Sequence, residues 1–361
     1  MVMSSSKIST STALMIIILS TGLMNHVIVL PLLLDQAGRD AWISVLVAIP
    51  LNLLWLGILY YVMRKTEQQS LTLLIKQRYG NIAYLLIVIP LLLFFMAVTF
   101  ITLKDITYML STNFLRVTPR YVIAISIMLL CSLTARAGII SISILSALIL
   151  PFVCFFGILV MTANIPYKHY SWVLPVLQNG WGPVWKGSFY QAGGYIEMLF
   201  LLLFQQHIKH QVKLWHLVLV GLCLAGLTLG PALGAITEFG PQLAADQRYP
   251  AFEQWRLVEI GKYIEHLDFL SIYQWMSGTL IRISISLFLC IDVMNFKYKR
   301  TSNVTLWVIT CAILVLVILP ISDINFYAMV KNQYFTVFVP LIIFIALIFL
   351  LVSFRVQTKS R

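Results

Sequence analysis

Hydrocarbon length limits this chain more than any other feature. It contains ten predominantly apolar stretches, most near the twenty residues that a helix needs to cross a core of about 30 Å. They fall at about 12–34, 41–63, 82–103, 119–134, 138–164, 187–208, 214–237, 269–291, 304–322 and 334–354. The runs are continuous rather than alternating, which excludes a transmembrane barrel. Of the 361 residues, 60% are hydrophobic and only 11% charged, less than half the roughly 25% of soluble domains. So little charge cannot cover a compact soluble globule. The pattern predicts an all-α integral membrane protein of about ten transmembrane helices, a single polytopic membrane domain over 1–361. Pro50, Pro90 and Pro151 fall inside spans, where neighbouring helices can satisfy the carbonyls they free. The first run is long and lacks a small-residue cleavage site, so it is expected to stay as a spanning helix.

The charges orient these spans. The terminal side collects Lys7, Arg64, Lys65, Lys76, Arg78, Arg136, Lys209, Lys213, Lys297, Lys299, Arg300, Arg355, Lys359 and Arg361, against only Glu67 and Asp292. That excess equals the whole net charge of +12, so both termini are expected in the cytoplasm. The opposite side balances its acids and bases. Because the basic residues form no compact domain, the charge does not point to nucleic acid. Outer loops are rich in Pro, Gly and Trp over 165–186, as a headgroup segment is, and 252–267 reads as a short amphipathic helix. Cys131, Cys154, Cys223, Cys290 and Cys311 all lie in apolar runs without CxxC spacing, so they read as small membrane residues.

Two spans carry interruptions. The first contains "STGLMNHVIVLP", with a predicted break over Thr21, Gly22, Leu23, Met24 and Asn25. The sixth contains "QAGGYIE", with Gly193 and Gly194 adjacent and Tyr195 and Glu197 following. Spans one and six are equivalent positions in a five-plus-five inverted repeat, here about 12–164 and 187–354. Matching interruptions in two halves are the sequence pointer to a transporter-type site between broken helices. An unwound segment frees backbone groups that only a cavity, ion or ligand can meet, and helix N-termini aimed into the break suit a carboxylate. The alternative is that these glycines only pack helices together.

Two charges remain inside spans: Glu197 in the sixth and Arg282 in the eighth. Each costs several kcal/mol near the midplane, on the order of 3 or more, so both are expected to face the bundle interior. They form either a structural ion pair or part of a site or gate. His26 is a candidate proton-linked switch, with an interfacial or core role as the plainer reading. His207 and His210, beside Lys209 and without a third ligand, read as interface anchors rather than a metal site. No phosphate-binding loop, HExxH or nucleophile elbow occurs, so neither catalysis, a cofactor nor a metal is expected.

The order of several stretches along the chain resembles a known family. These are the interrupted first span leading into "LPLLLDQAGRDAWIS", the loop "LPVLQNGWGPVWKG", "GGYIEMLFLLLFQQHIK", and "YPAFEQW" with "IEHLDFLSIYQW" ahead of span eight. Together they are similar to the B subunits of spore germinant receptors, the spore germination permeases of the amino acid–polyamine–cation transporter superfamily. The resemblance implies the broken-helix inverted-repeat fold and a nutrient-sensing membrane subunit in the bacterial spore's inner membrane. Its implied partners are an A subunit, a lipoprotein C subunit and a small nutrient such as an amino acid. Carried over by position, the ligand site comprises Thr21, Gly22, Leu23, Met24, Asn25, Gly193, Gly194, Tyr195 and Glu197. Relatives often place a second glycine two residues after the first, where this chain has Met24. An ion- or proton-coupled amino-acid transporter using the same site is the other functional expectation.

Overall fold

The computed structural model describes residues 7–259 and 266–355. Among these the regular structure is all helical, with one isolated bridge, Ile8 to Ile208, and no strand. Helix α1 (Thr10–Leu23) starts where the Ser9 hydroxyl accepts the Thr12 amide at 3.1 Å, meeting one of the N–H groups that a helix start leaves unpaired. Helical backbone continues through a π segment, Met24–Val29, into α2 (Leu30–Ala37). The chain turns at Gly38, whose φ of +53° suits glycine, and resumes as α3 (Ala41–Lys65).

Next come α4 (Leu71–Asn113), kinked at Gly80, then α5 (Arg120–Ala137) and α6 (Ile139–Ala163). Then α7 (Trp181–Tyr195) gives way to a 3-10 turn, Ile196–Met198, and the short α8 (Leu199–Leu203). After α9 (Leu214–Phe239), the small helices α10 (Pro241–Asp246) and α11 (Pro250–Arg256) cover one end. They are followed by α12 (Leu270–Asp292), α13 (Lys299–Ile318), α14 (Asp323–Met329), a second π segment, Val330–Tyr334, and α15 (Phe335–Phe354).

Eight helical runs among the described residues are long and apolar enough to cross a membrane. The protein is therefore a multi-pass α-helical membrane protein. Two local features separate eight from the ten sequence stretches. The first two stretches run together over Thr10–Lys65, 56 residues that would measure about 84 Å if straight, far beyond one hydrocarbon core. The Gly38 turn folds that run, and α2 and α3 touch. The sixth stretch is divided into α7, of 15 residues, and α8, of 5, each too short to count alone.

Boundaries also shift. The third span is predicted to end at 103, with Lys104 and Asp105 in an outer loop; α4 instead runs on to Asn113 and buries both. The predicted amphipathic helix at 252–267 is realised only in α11, and its 260–265 part lies outside the described residues, as do Lys359 and Arg361. At the centre stands α12, packed on α1, α4, α5 and α6. By contrast α6 and α13 are peripheral and turn side chains such as Phe152, Ile158, Val308 and Val315 outward, the face a lipid-bathed helix presents.

Candidate functional site

Neither predicted interruption unwinds. Thr21, Gly22 and Leu23 stay in α1, and from Met24 to Val29 the helix widens to π geometry. Such π turns are rare and often occur at functional sites. Gly193 and Gly194 likewise stay in α7, and the irregularity follows them as the 3-10 turn Ile196–Met198. The reason is packing. A Cβ on Gly193 would lie 2.7 Å from the Phe335 ring, and one on Gly194 would run into the Asn25 side-chain oxygen. Glycine here buys close approach of helices, so the free helix ends expected to cradle a carboxylate do not form.

The irregular segments nevertheless converge. Glu197 comes from the 3-10 turn, Arg282 from α12 and Tyr334 from the second π segment, all fully or almost fully buried. Arg282 Nε donates to Glu197 Oε2 at 3.1 Å, and its Nη2 donates to Oε1. The Tyr334 hydroxyl donates to the same Oε1 at 3.0 Å. Met24 Sδ, from the first π segment, lies 3.2 Å from Arg282 Nη2. Met24, where the resemblance implies a second glycine, thus contacts the arginine. A forked guanidinium on a carboxylate, with a third donor, is the arrangement that lets two charges survive away from water.

In the segments that supply this group several buried polar atoms have no hydrogen-bond partner among the described residues. They are Arg282 Nη1, Thr21 Oγ1 and both amide ends of Asn25 and of Gln191. Thr21 and Asn25 lie one turn apart and flank Met24; Gln191 lies one turn before Gly194, which faces Asn25. Each unpaired neutral group costs about 1–3 kcal/mol. Chemically, the cluster can offer a carboxylate acceptor, a guanidinium donor and neutral groups of both kinds to one small polar molecule.

The remaining predicted residues are not in this cluster. Gly22 and Leu23 face the other side of α1, where with His26 they line a cavity of about 450 Å³. Tyr195 turns away as well: its hydroxyl donates to the Gly221 carbonyl, and its own carbonyl accepts from Trp55 Nε1 at 3.0 Å. His26 has a structural task, its Nδ1 lying 3.0 Å from the Leu227 carbonyl. Four residues beyond Leu227 stands Pro231, which has no N–H to offer that carbonyl. His207 Nε2 lies 3.0 Å from Asp292 Oδ1.

Two features escaped the sequence. Tyr334 sits in an apolar run and looks like an interfacial aromatic; only the polar Lys331–Gln333 just before it hints at an irregular turn. The second is a charge cluster, in which Arg248 donates to Asp105 at 2.6 Å and lies 3.4 Å from Asp323. The Arg248 guanidinium also stacks on the Tyr249 and Tyr327 rings at 4.5 and 5.0 Å. The apolar "ITYML" after Asp105 was the available sign that helix continues past the charge.

Comparison with known proteins now decides the family. Residues 7–325 match the sequence model of the spore permeases, described as spore germination proteins. The chain belongs to that family. It is 42% identical over 314 residues to spore germination protein XB of Bacillus anthracis, covering 87% of this chain and 88% of the relative. A more distant relative is the putative spore germination protein YfkT of Bacillus subtilis (strain 168), 22% identical over 274 residues, 74% of either chain. A germination-related, permease-like role comes with this membership.

Proposed function

We propose that this spore germination family member is the nutrient-sensing membrane subunit of a germinant receptor, binding a small amino acid without catalysis. The observation that carries this reading is the Glu197–Arg282–Tyr334 group, buried where three irregular helix segments meet, with unpaired buried polar groups on the segments that supply it. A zwitterion matches it: the ammonium meets Glu197, the carboxylate meets Arg282, and the neutral amides of Asn25 and Gln191 complete the shell. Met24, Asn25 and Thr21 form one wall and Glu197 the other; Gly193 and Gly194 allow the two helices to close on each other. Gly22, Leu23 and Tyr195 support those walls from behind.

On this reading the chain makes ten crossings in a five-plus-five inverted repeat, with both termini cytoplasmic in the spore inner membrane. Ligand binding favours one packing of the irregular segments, and partner A and C subunits read that shift; it requires a difference in affinity between the two packings. Spores carrying Tyr334→Phe test it. Germination should need at least about tenfold more nutrient, the equivalent of roughly 1.4 kcal/mol, with receptor abundance unchanged. Unchanged nutrient dependence contradicts the assignment. Saturable, gradient-driven amino-acid uptake by the purified protein in liposomes would instead make it a transporter.

A further inference from the structure

The second face of α1 borders the 450 Å³ cavity, a volume within the range of about 300–1,000 Å³ for small-molecule sites. It follows α1 and the first π segment from Ile18 to Val27, about 13 Å at 1.5 Å per residue, and α6, α9, α11 and α12 complete its walls. One end is apolar, with Ile18, Leu19, Leu150 and Cys223; the other carries His26 and Trp275.

Three observations say that this space is built. Gly226 and Gly230 lie one turn apart on α9 and line it, and a Cβ at either would meet nothing within 4 Å. Packing glycines such as Gly193 do the opposite, so these two hold space open. Trp275 is 5% exposed, and its Nε1–H has no hydrogen-bond partner among the described residues. His26 gives its Nδ1 proton to the Leu227 carbonyl, which can only accept; its Nε2 is therefore left as an acceptor in a ring that lines the cavity. The polar end also carries Ser271, Gln254 and Gln274, each already hydrogen-bonded, which leaves the Trp275 Nε1–H and His26 Nε2 as a neutral donor and a neutral acceptor without partners. It offers no free charge: the Lys168 ammonium, at the rim, lies 3.0 Å from the Met161 carbonyl and 3.8 Å from Glu238.

We infer that this cavity binds the alkyl chain of a neutral single-chain amphiphile, its hydroxyl-bearing head at the His26 and Trp275 end and its chain running toward Ile18. The hydroxyl donates to His26 Nε2 and accepts from Trp275 Nε1. Cys154, Ile158 and Met161 of the peripheral α6 line the cavity and are exposed, so a chain entering from the bilayer would pass along them. The same chemistry also fits a free amphiphile arriving from solution. The site lies across α1 from the Glu197–Arg282 pair and does not depend on the nutrient reading.

The test uses full-length protein in nanodiscs and a photoactivatable monodecanoyl glycerol as probe. Labelling should saturate, map to α1, α6, α9 or α12, and be competed by unlabelled monodecanoyl glycerol. Gly226→Leu with Gly230→Leu should cut it at least about tenfold without lowering the melting temperature. Trp275→Phe, which keeps the shape and removes the N–H, should weaken binding about fivefold, the worth of one hydrogen bond. Lipid extracted from protein purified without probe separates the sources. Stoichiometric lipid in the wild type that is lost in the filled variant assigns the chain to the membrane. Saturable labelling without retained lipid assigns it to a free amphiphile. Non-saturable labelling, or labelling unchanged by filling, overturns the inference. Should the double variant fail to fold, unchanged affinity in both Gly226→Leu alone and Trp275→Phe overturns it equally.

Discussion

At the residue scale, Arg282 decides most. It is the largest fully buried side chain among the described residues, and it meets the Glu197 carboxylate, one of whose oxygens also accepts from Tyr334, and the Met24 thioether. Removing either charge leaves the other stranded, so Glu197→Gln and Arg282→Gln should each destabilise the protein by about 3–5 kcal/mol. The double variant should cost clearly less than the sum, as read from unfolding in detergent; simple additivity would mean that the two charges do not interact. His26 makes a separate pair of predictions. His26→Phe leaves the Leu227 carbonyl without its donor and should cost about 1–3 kcal/mol. Pro231→Ala in that background should return most of the loss, because the new backbone N–H can reach the carbonyl. No recovery would place the histidine's contribution elsewhere.

At the element scale, the glycines of α7 and α9 behave oppositely. Gly194→Ala should cost about 1–3 kcal/mol, since the added carbon meets the Asn25 side chain. Gly226→Ala should cost nothing and can gain up to about 1 kcal/mol of helix propensity; thermal unfolding of the two variants distinguishes them. This contrast also explains what the sequence could disclose. Apolar length is a local property, so the helices stood out, as did Glu197 and Arg282, the lone charges in their runs. The form of the interruptions was not local. Whether Gly193 and Gly194 unwind or pack depends on Phe335 and Asn25, more than a hundred residues away on either side. Lys104 and Asp105 looked like a loop because unpaired charges in hydrocarbon are expensive. They are tolerated because Arg248 meets Asp105, and the Val317 and Leu319 carbonyls accept from Lys104 at 2.6 and 2.8 Å. No spacing rule links those positions.

At the scale of the whole molecule, α1 and its π extension divide the interior into two compartments of different chemistry: a polar, ion-paired side toward Glu197, and an apolar, glycine-walled side toward α9. Charge asymmetry predicts how this body sits in the membrane. In a cysteine-free background, Asp246→Cys should react with an impermeant maleimide in intact cells, and Lys7→Cys only after permeabilisation; the reverse pattern would invert the orientation. The most direct test of the nutrient site uses its unpaired amide. Asn25 is fully buried without a partner among the described residues, so Asn25→Leu should leave stability unchanged or raised. Equilibrium binding of labelled amino acids to the purified full-length protein should show saturable binding of at least one of them. In Asn25→Leu its affinity should fall at least about tenfold while the melting temperature holds. Amino-acid binding that is absent in the wild type, or untouched in a folded Asn25→Leu protein, contradicts the account.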